Sequence, residues 1–419
     1  MSLLSKITWL SYRIRRWWRR KWRPKRTVEE QNIWNFYLDI AWFGVLNGVA
    51  NTFTRVFAIH LGASNTMVGL LTSAPALVNI LWLTPAARIV EGQRSRMPLV
   101  LLAGFLQRLS YLFIALMPSV IHSHRPEALV VLVALTTIPS ALSSLAFTSL
   151  LADTIPSRRR GEVVSIRHFL SGISSAITVL IGGKLLDLVP FPLNYQSLFF
   201  IGFLASLISL RYVSRIQAPQ AIAAPKAPPS LSPAELWRLA NDNRNFARFA
   251  FSSFVFHWGL FLPAALYPIY WVKHLHASDS WIGLMATFSN ATTVLAYLLW
   301  GRVAARRGNR PILFVSTLGL VLYPVLTGLS PSVEPLLLVA IIGGAFTAGV
   351  NLTLYSTLLE VCPRERRPTF IALYTVLINV AGFLGPMLGT CLADHLDIVK
   401  ALFIAGALRL LGSLLFYKL

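Results

Sequence analysis

Apolar residues run in long stretches along this chain, and the polar positions cluster between them. The stretches lie at about 33–59, 66–86, 97–119, 127–151, 163–186, 193–213, 246–271, 279–300, 311–329, 334–359, 368–392 and 398–417. A helix needs about 20 apolar residues to cross the hydrocarbon of a bilayer. In lipid only helices and closed barrels satisfy the backbone, and barrel strands alternate over about ten residues. Stretches this long and this uniform predict an all-α membrane protein of twelve transmembrane helices. Gly and Pro inside several of them are compatible with that, because membrane helices tolerate both.

Composition points the same way. Of 419 residues, 55% are hydrophobic and 13% charged, against about 45–50% and about 25% in soluble domains. The net charge of +22 would suggest nucleic acid in a soluble protein, but here its placement decides. If both termini are cytoplasmic, thirty of the 38 Lys and Arg fall on one side. They lie before the first stretch, in the even-numbered loops and at Lys418, whereas the far loops hold only Arg125, Lys184, Lys273 and Lys400. The positive-inside rule then places the N and C termini in the cytoplasm. The charge becomes a topology signal, and no nucleic-acid partner is expected. Two cysteines, Cys362 and Cys391, make neither a disulfide framework nor a metal cluster, so neither metal nor cofactor is expected.

The chain divides into a basic amphipathic tail (1–32), a six-helix bundle (33–213), a linker (214–245) and a second six-helix bundle (246–417). Residues 3–26 interleave Leu, Ile and Trp with basic residues and contain no acid, which suits a helix lying on anionic lipid. Four tryptophans and few serines argue against a mitochondrial transit peptide, and the first helix reads as uncleaved. The linker sequence APQAIAAPKAPPSLSP reads as an extended connection. The halves repeat each other. His60–Leu71 (HLGASNTMVGLL) matches His274–Met285 (HLHASDSWIGLM), and Asp153, Pro156, Arg160 and Asp187 align with Glu360, Pro363, Arg367 and Asp394. Both halves start on the same side, so they are parallel repeats.

The loop after the eighth stretch reads Gly301-Arg-Val-Ala-Ala-Arg306-Arg-Gly308-Asn-Arg310. It resembles the Gly-x-x-x-Asp-Arg-x-Gly-Arg-Arg signature of the major facilitator superfamily, with Ala305 in place of the Asp. The first half keeps Gly92 and Arg94 of that motif. Both halves carry Asp/Glu-x-x-Pro-x-x-x-Arg after their fourth helix. The resemblance implies the superfamily fold, a secondary transporter and no enzyme activity. It also implies a cytoplasmic gate in which Asp153 and Glu360 meet Arg94 and Arg310, accompanied by Arg160, Gly301, Arg306, Gly308 and Arg367. Gly301 and Gly308 are expected to allow a tight turn and close helix approach. The drug-antiporter motif of the fifth helix is absent, with only Gly182 and Gly183 remaining.

Ionisable residues within spans default to functional candidates. Asp39 is the acid furthest from a helix end, and Arg167 lies at similar depth in the helix that neighbours it in the superfamily fold. The two can form an ion pair, or Asp39 can carry a coupling proton. Asn47, Asn51 and Arg55 repeat at helical spacing on one broad face, which is expected to line a cavity. His257, Tyr267, Asn351 and Tyr355 are further solute or proton candidates, while Arg108 and Arg409 have no assigned role. Aromatics and few charges around the cavity favour proton-coupled efflux of amphipathic compounds by a monomer in a bacterial cytoplasmic (inner) membrane. Uptake of a neutral polar solute such as a sugar is the alternative. A transporter-like assembly or lipid-handling protein is the reading from another class.

Overall fold

The structure, a computed structural model, describes residues 27–93, 95–217, 242–363 and 367–417. The basic tail, Arg94 and most of the linker lie outside the described residues, and with them the expectation of lipid binding at the tail. Six helices build the first half: α1 (Val28–His60), α2 (Asn65–Glu91), α3 (Met97–Val120), α4 (Arg125–Thr154), α5 (Ser157–Leu188) and α6 (Leu193–Val213). The second half has α7 (Arg244–His274), α8 (Asp279–Arg307), α9 (Asn309–Leu329), α10 (Glu334–Val361), α11 (Arg367–Leu396) and α12 (Ile398–Tyr417). All except α1 contain an 18-residue window apolar enough to cross a membrane. α1 carries Glu29, Glu30, Asp39 and Arg55 yet packs at the centre of its half.

Local chemistry sets the helix ends. Ser64 and Ser278 accept from the backbone N–H of Met67 and Trp281, capping α2 and α8. They occupy equivalent places in the sequence repeat. Gly308 ends α8 with φ +81°, a left-handed conformation that suits glycine. α7 loses regular pitch after Phe261. It passes through a 3-10 turn at Leu262–Ala264 and a π turn at Tyr270–His274, with Pro263 and Pro268 removing backbone donors.

Packing repeats between the halves. α1 packs on α5 and α6, as α7 does on α11 and α12. α4 packs on α2 and α3, as α10 does on α8 and α9. Two seams join the halves, α5 against α8 and α2 against α11. Apolar residues at the face where α1 ends form one core shared by both halves, including Leu71, Val179, Leu266 and Ile282. At the face where α1 begins there are two separate cores. One holds Phe36, Val100 and Leu150, the other Phe246, Leu313 and Phe370. The basic loops lie on this second side, so it is called the basic face and the other the far face.

Candidate solute cavity and gate

The α5–α8 seam is tight at the far face. A Cβ on Gly183 would lie 2.7 Å from Asp279 O, and one on Gly283 would lie 2.7 Å from Val179 O. Only glycine allows backbones this close. Asp187 then accepts from the backbone N–H of Asp279 (3.1 Å) and of Ser280 (3.2 Å). The buried Asp279 carboxylate accepts from Tyr195 Oη at 2.7 Å and faces His60 Nε2 at 3.6 Å. Across the α2–α11 seam, Asn65 Nδ2 donates to Asp394 at 2.7 Å, and Lys273 Nζ donates to Asn65 Oδ1 at 3.0 Å. Towards the basic face both seams part. Among the described residues nothing lies within 4 Å of a notional Cβ on Gly161 or Gly301, and a gap of about 490 Å³ separates α2 from α11 beside Asn79 and Thr375.

Two cavities fill the centre between the seams. One of about 460 Å³ is lined by Asn51, Arg55, Tyr267, Trp271, Asn290 and Tyr323 among others. The second, about 600 Å³, lies on the first-half side and shares Asn51 and Arg55 with it, adding Asn79, Tyr111, Thr137 and Asn379. Tyr267 stacks on Trp271 (ring centroids 6.0 Å) and meets Tyr323 edge-on (4.9 Å).

Asp39 and Arg167 are brought together. Arg167 Nη1 donates to Asp39 Oδ2 at 3.0 Å, and Ser209 Oγ donates to Asp39 Oδ1 at 2.7 Å. Both residues are buried and border a third cavity of about 270 Å³ inside the first half, together with Asn47 and Arg108. The Arg167 guanidinium also lies over the Phe147 ring at 4.6 Å. His257 lines neither central cavity. It is buried, with Nδ1 2.7 Å from Ser253 O and its ring beside Phe256 and Phe261. Asn351 and Tyr355 are exposed on α10 and line neither central cavity.

Comparison with known sequences settles what this architecture is. The pattern of the Major Facilitator Superfamily matches residues 40–270 and 249–419. The chain belongs to that superfamily. An uncharacterised MFS-type transporter of Methanocaldococcus jannaschii is 23% identical over 382 residues, 88% of this chain and 93% of that protein. Multidrug resistance protein MdtG of Salmonella typhi is 27% identical over 142 residues, 33% of this chain and 34% of MdtG. The crystal structure of the nucleoside transporter NupG superposes with TM-score 0.71 at 13% identity, covering 94% of this chain and 99% of that one. This superfamily member is an integral inner-membrane transporter and not an enzyme.

The superfamily motifs sit at the basic face. Asp153 pairs with Arg96, the residue just before α3, and Arg94 lies outside the described residues. Glu360 accepts from Asn309 Nδ2 at 2.6 Å. Both contacts stay within one half, because the halves are apart at this face. Arg160 Nη2 donates to Ala152 O (2.7 Å) and Ile155 O (3.3 Å), bracing the α4–α5 turn. Arg306 and Arg310 are exposed, and α11 starts at Arg367. Gly308 makes the expected turn, whereas Gly301 faces open space rather than a close helix.

Arg108 and Arg409, left unassigned from sequence, are buried connectors. Arg108 donates to Ser206 O, Gly104 O and Ser209 Oγ, tying α3 to α6. Arg409 donates to Gly259 O, Leu320 O and Tyr267 Oη, tying α12 to α7 and α9. Sequence reasoning passed over Tyr323, Trp271 and Asn290 in the cavity. Asn290, an amide within an apolar stretch, carried the same signal that singled out Asn51. The sequence repeat also aligned Asp187 with Asp394 without giving either a role.

Proposed function

We propose that this transporter works by alternating access and expels amphipathic compounds from the cytoplasm in exchange for protons. One observation carries the reading. The central cavity is closed at the far face by a core common to both halves, and at the basic face the halves keep separate cores. With the basic face assigned to the cytoplasm, this state faces inward. Glycine-lined seams that fit backbone to backbone can close and part as rigid surfaces. The aromatic wall of Tyr267, Trp271 and Tyr323 suits an apolar solute body, and MdtG, a multidrug resistance protein, is a partial relative. The Asp39–Arg167 pair is the candidate coupling element, because protonating the carboxylate would release its partner.

The amides Asn51, Asn79, Asn290 and Asn379 around the cavities favour a second reading, passage of a neutral polar solute. Proteoliposomes separate the two. Under an imposed proton gradient, amphipathic dyes should move against their concentration gradient, with a change of lumenal pH in step. Gradient-driven movement of sugars or nucleosides without dye movement would establish the second reading instead.

A further inference from the structure

Four arginines lie well inside the spanning helices, and three of them are built into the protein. Arg108 and Arg409 each direct three donors to protein oxygens, most of them on neighbouring helices. Arg167 has a carboxylate partner in Asp39 and a second acceptor in Phe36 O. Arg55 differs. Its one hydrogen bond among the described residues runs from Nη2 to Asn51 O at 3.1 Å, a carbonyl four residues back on its own helix. That contact ties no helix to another. A guanidinium carries five N–H donors in a planar fork, and Arg55 borders the space where both central cavities meet.

The surroundings leave that charge without a counter-charge. Among the described residues no Asp or Glu lines either central cavity, while Arg409 borders one of them. Tyr323 stands close enough to both Arg55 and Arg409 to feel their charge. Arg55 lies five residues before the end of α1, at the closed end of the cavity where a solute entering from the basic face would stop. An intramembrane cation normally pairs with an acid or with backbone carbonyls, and forked guanidinium donors match a carboxylate, sulfonate or phosphate bidentately. Beside it, Tyr267, Trp271 and Tyr323 offer ring faces and edges rather than further charge.

We infer that Arg55 is the binding group for the anionic head of the solute, and that the substrate class is an amphipathic organic anion. This rests on the reading of the cavity as the transport pathway. The solute's acid group supplies the missing partner of Arg55, and its apolar body lies along the aromatic corner. Asn51 and Asn290 supply amide donors in the same cavity.

Three probes of one shape test it on the purified full-length protein: 1-naphthylacetate, the neutral 1-naphthylacetamide and the cationic 1-naphthylethylammonium. Calorimetric titration should show the acetate binding tenfold or more tightly than the amide, with the cation weakest. Arg55→Gln should remove that preference, the acetate losing far more affinity than the amide, while Arg55→Lys keeps part of it. Asn51→Asp retains the arginine but places a carboxylate one turn away, and it should abolish the preference even if Arg55→Gln folds poorly. Equal binding of the three probes by the wild type, or a preference that survives both Arg55→Gln and Asn51→Asp, would overturn the inference. Flux of the same probes into proteoliposomes distinguishes the two levels. Selective binding of the acetate without flux leaves the site standing and refutes the transport pathway. Flux of amide or cation equal to that of acetate does the reverse.

Discussion

Asp187, at the end of α5, holds the first backbone N–H groups of α8 through Asp279 and Ser280, so the last turn of one half caps a helix of the other. The mirror contact is made by Asp394, at the end of α11, with Asn65, the first residue of α2. Asp187 and Asp394 occupy corresponding places in the two sequence repeats, as do Asn65 and Asp279. The repeats thus meet crosswise, each half's fifth helix reaching the other half's second. A helix N-terminus carries about half a positive charge and orphan donors, which is why an aspartate serves at these points.

Removing the Asp187 charge should therefore loosen the far face. A carboxylate at a helix N-terminus contributes about 0.3–1 kcal/mol, and up to about 2 kcal/mol when partly buried. Asp187→Asn should raise the outward-open population by about twofold to fivefold, and by up to about thirtyfold at the upper energy. Spin labels at positions 161 and 301, which face open space across the basic end of the α5–α8 seam, would report it. With Cys362 and Cys391 replaced by serine, the short-distance population should grow. An unchanged distance distribution would leave Asp187 as a helix cap with no share in gating.

The glycines of the same seam give a stronger perturbation. A side chain at Gly183 or Gly283 would collide with a backbone carbonyl of the facing helix, which cannot move aside as a flexible side chain can. Gly283→Val should hold the far face open, abolish transport, and leave each half folded. The same label pair should then report almost only the short distance. Full transport activity in Gly283→Val would mean that the seam does not need to close.

Much of the architecture was legible in the sequence. Twelve stretches and the repeat between halves follow from hydropathy and spacing, because lipid forbids most alternatives. The Asp39–Arg167 pair was also legible, since buried opposite charges at matching depth have few other partners. The gate contacts were not. Asp153 pairs with Arg96 and Glu360 accepts from Asn309, residues that the motif match does not single out. His257 resembled a proton carrier, yet its ring nitrogen is 2.7 Å from Ser253 O one turn back, a contact available to any histidine on a helix. Arg409 gave no signal, because two of its three acceptors are carbonyls near the places where α7 and α9 lose regular pitch.

Orientation in the membrane can be tested directly. His276, exposed in the loop before α8, belongs to the far face, and Arg307, exposed at the end of α8, to the basic face. In a background free of native cysteines, His276→Cys should react with a membrane-impermeant maleimide on intact cells, and Arg307→Cys only after the membrane is opened. The reverse pattern would turn the protein over and make the observed state outward-facing. Cys362 is a poor reporter because it is buried, and Cys391 is exposed on α11. Cys362 ends α10 at the basic face, whereas Cys391 lies near the far end of α11. The length of a spanning helix separates them, so no disulfide should join them in oxidised protein.

The Asp39–Arg167 pair separates a coupling role from a structural one. Asp39 takes donors from Arg167 and Ser209, and Arg108 stands near enough to feel its charge. If the carboxylate carries the coupling proton, Asp39→Asn should abolish accumulation driven by a proton gradient yet leave solute exchange, which moves no net proton. If the pair only holds α1 against α5, the same change strands a buried guanidinium. Breaking a buried pair from one side costs about 3–5 kcal/mol, so yield and melting temperature should fall. Asp39→Asn with Arg167→Gln should then recover part of that loss, though Arg108 still lacks its counter-charge in the double variant. Lost coupling in a stable protein and lost stability repaired by a second substitution are different in kind. Asp39→Asn with wild-type coupling and wild-type stability would exclude both, and would mean that the backbone carbonyl of Phe36 suffices to hold Arg167.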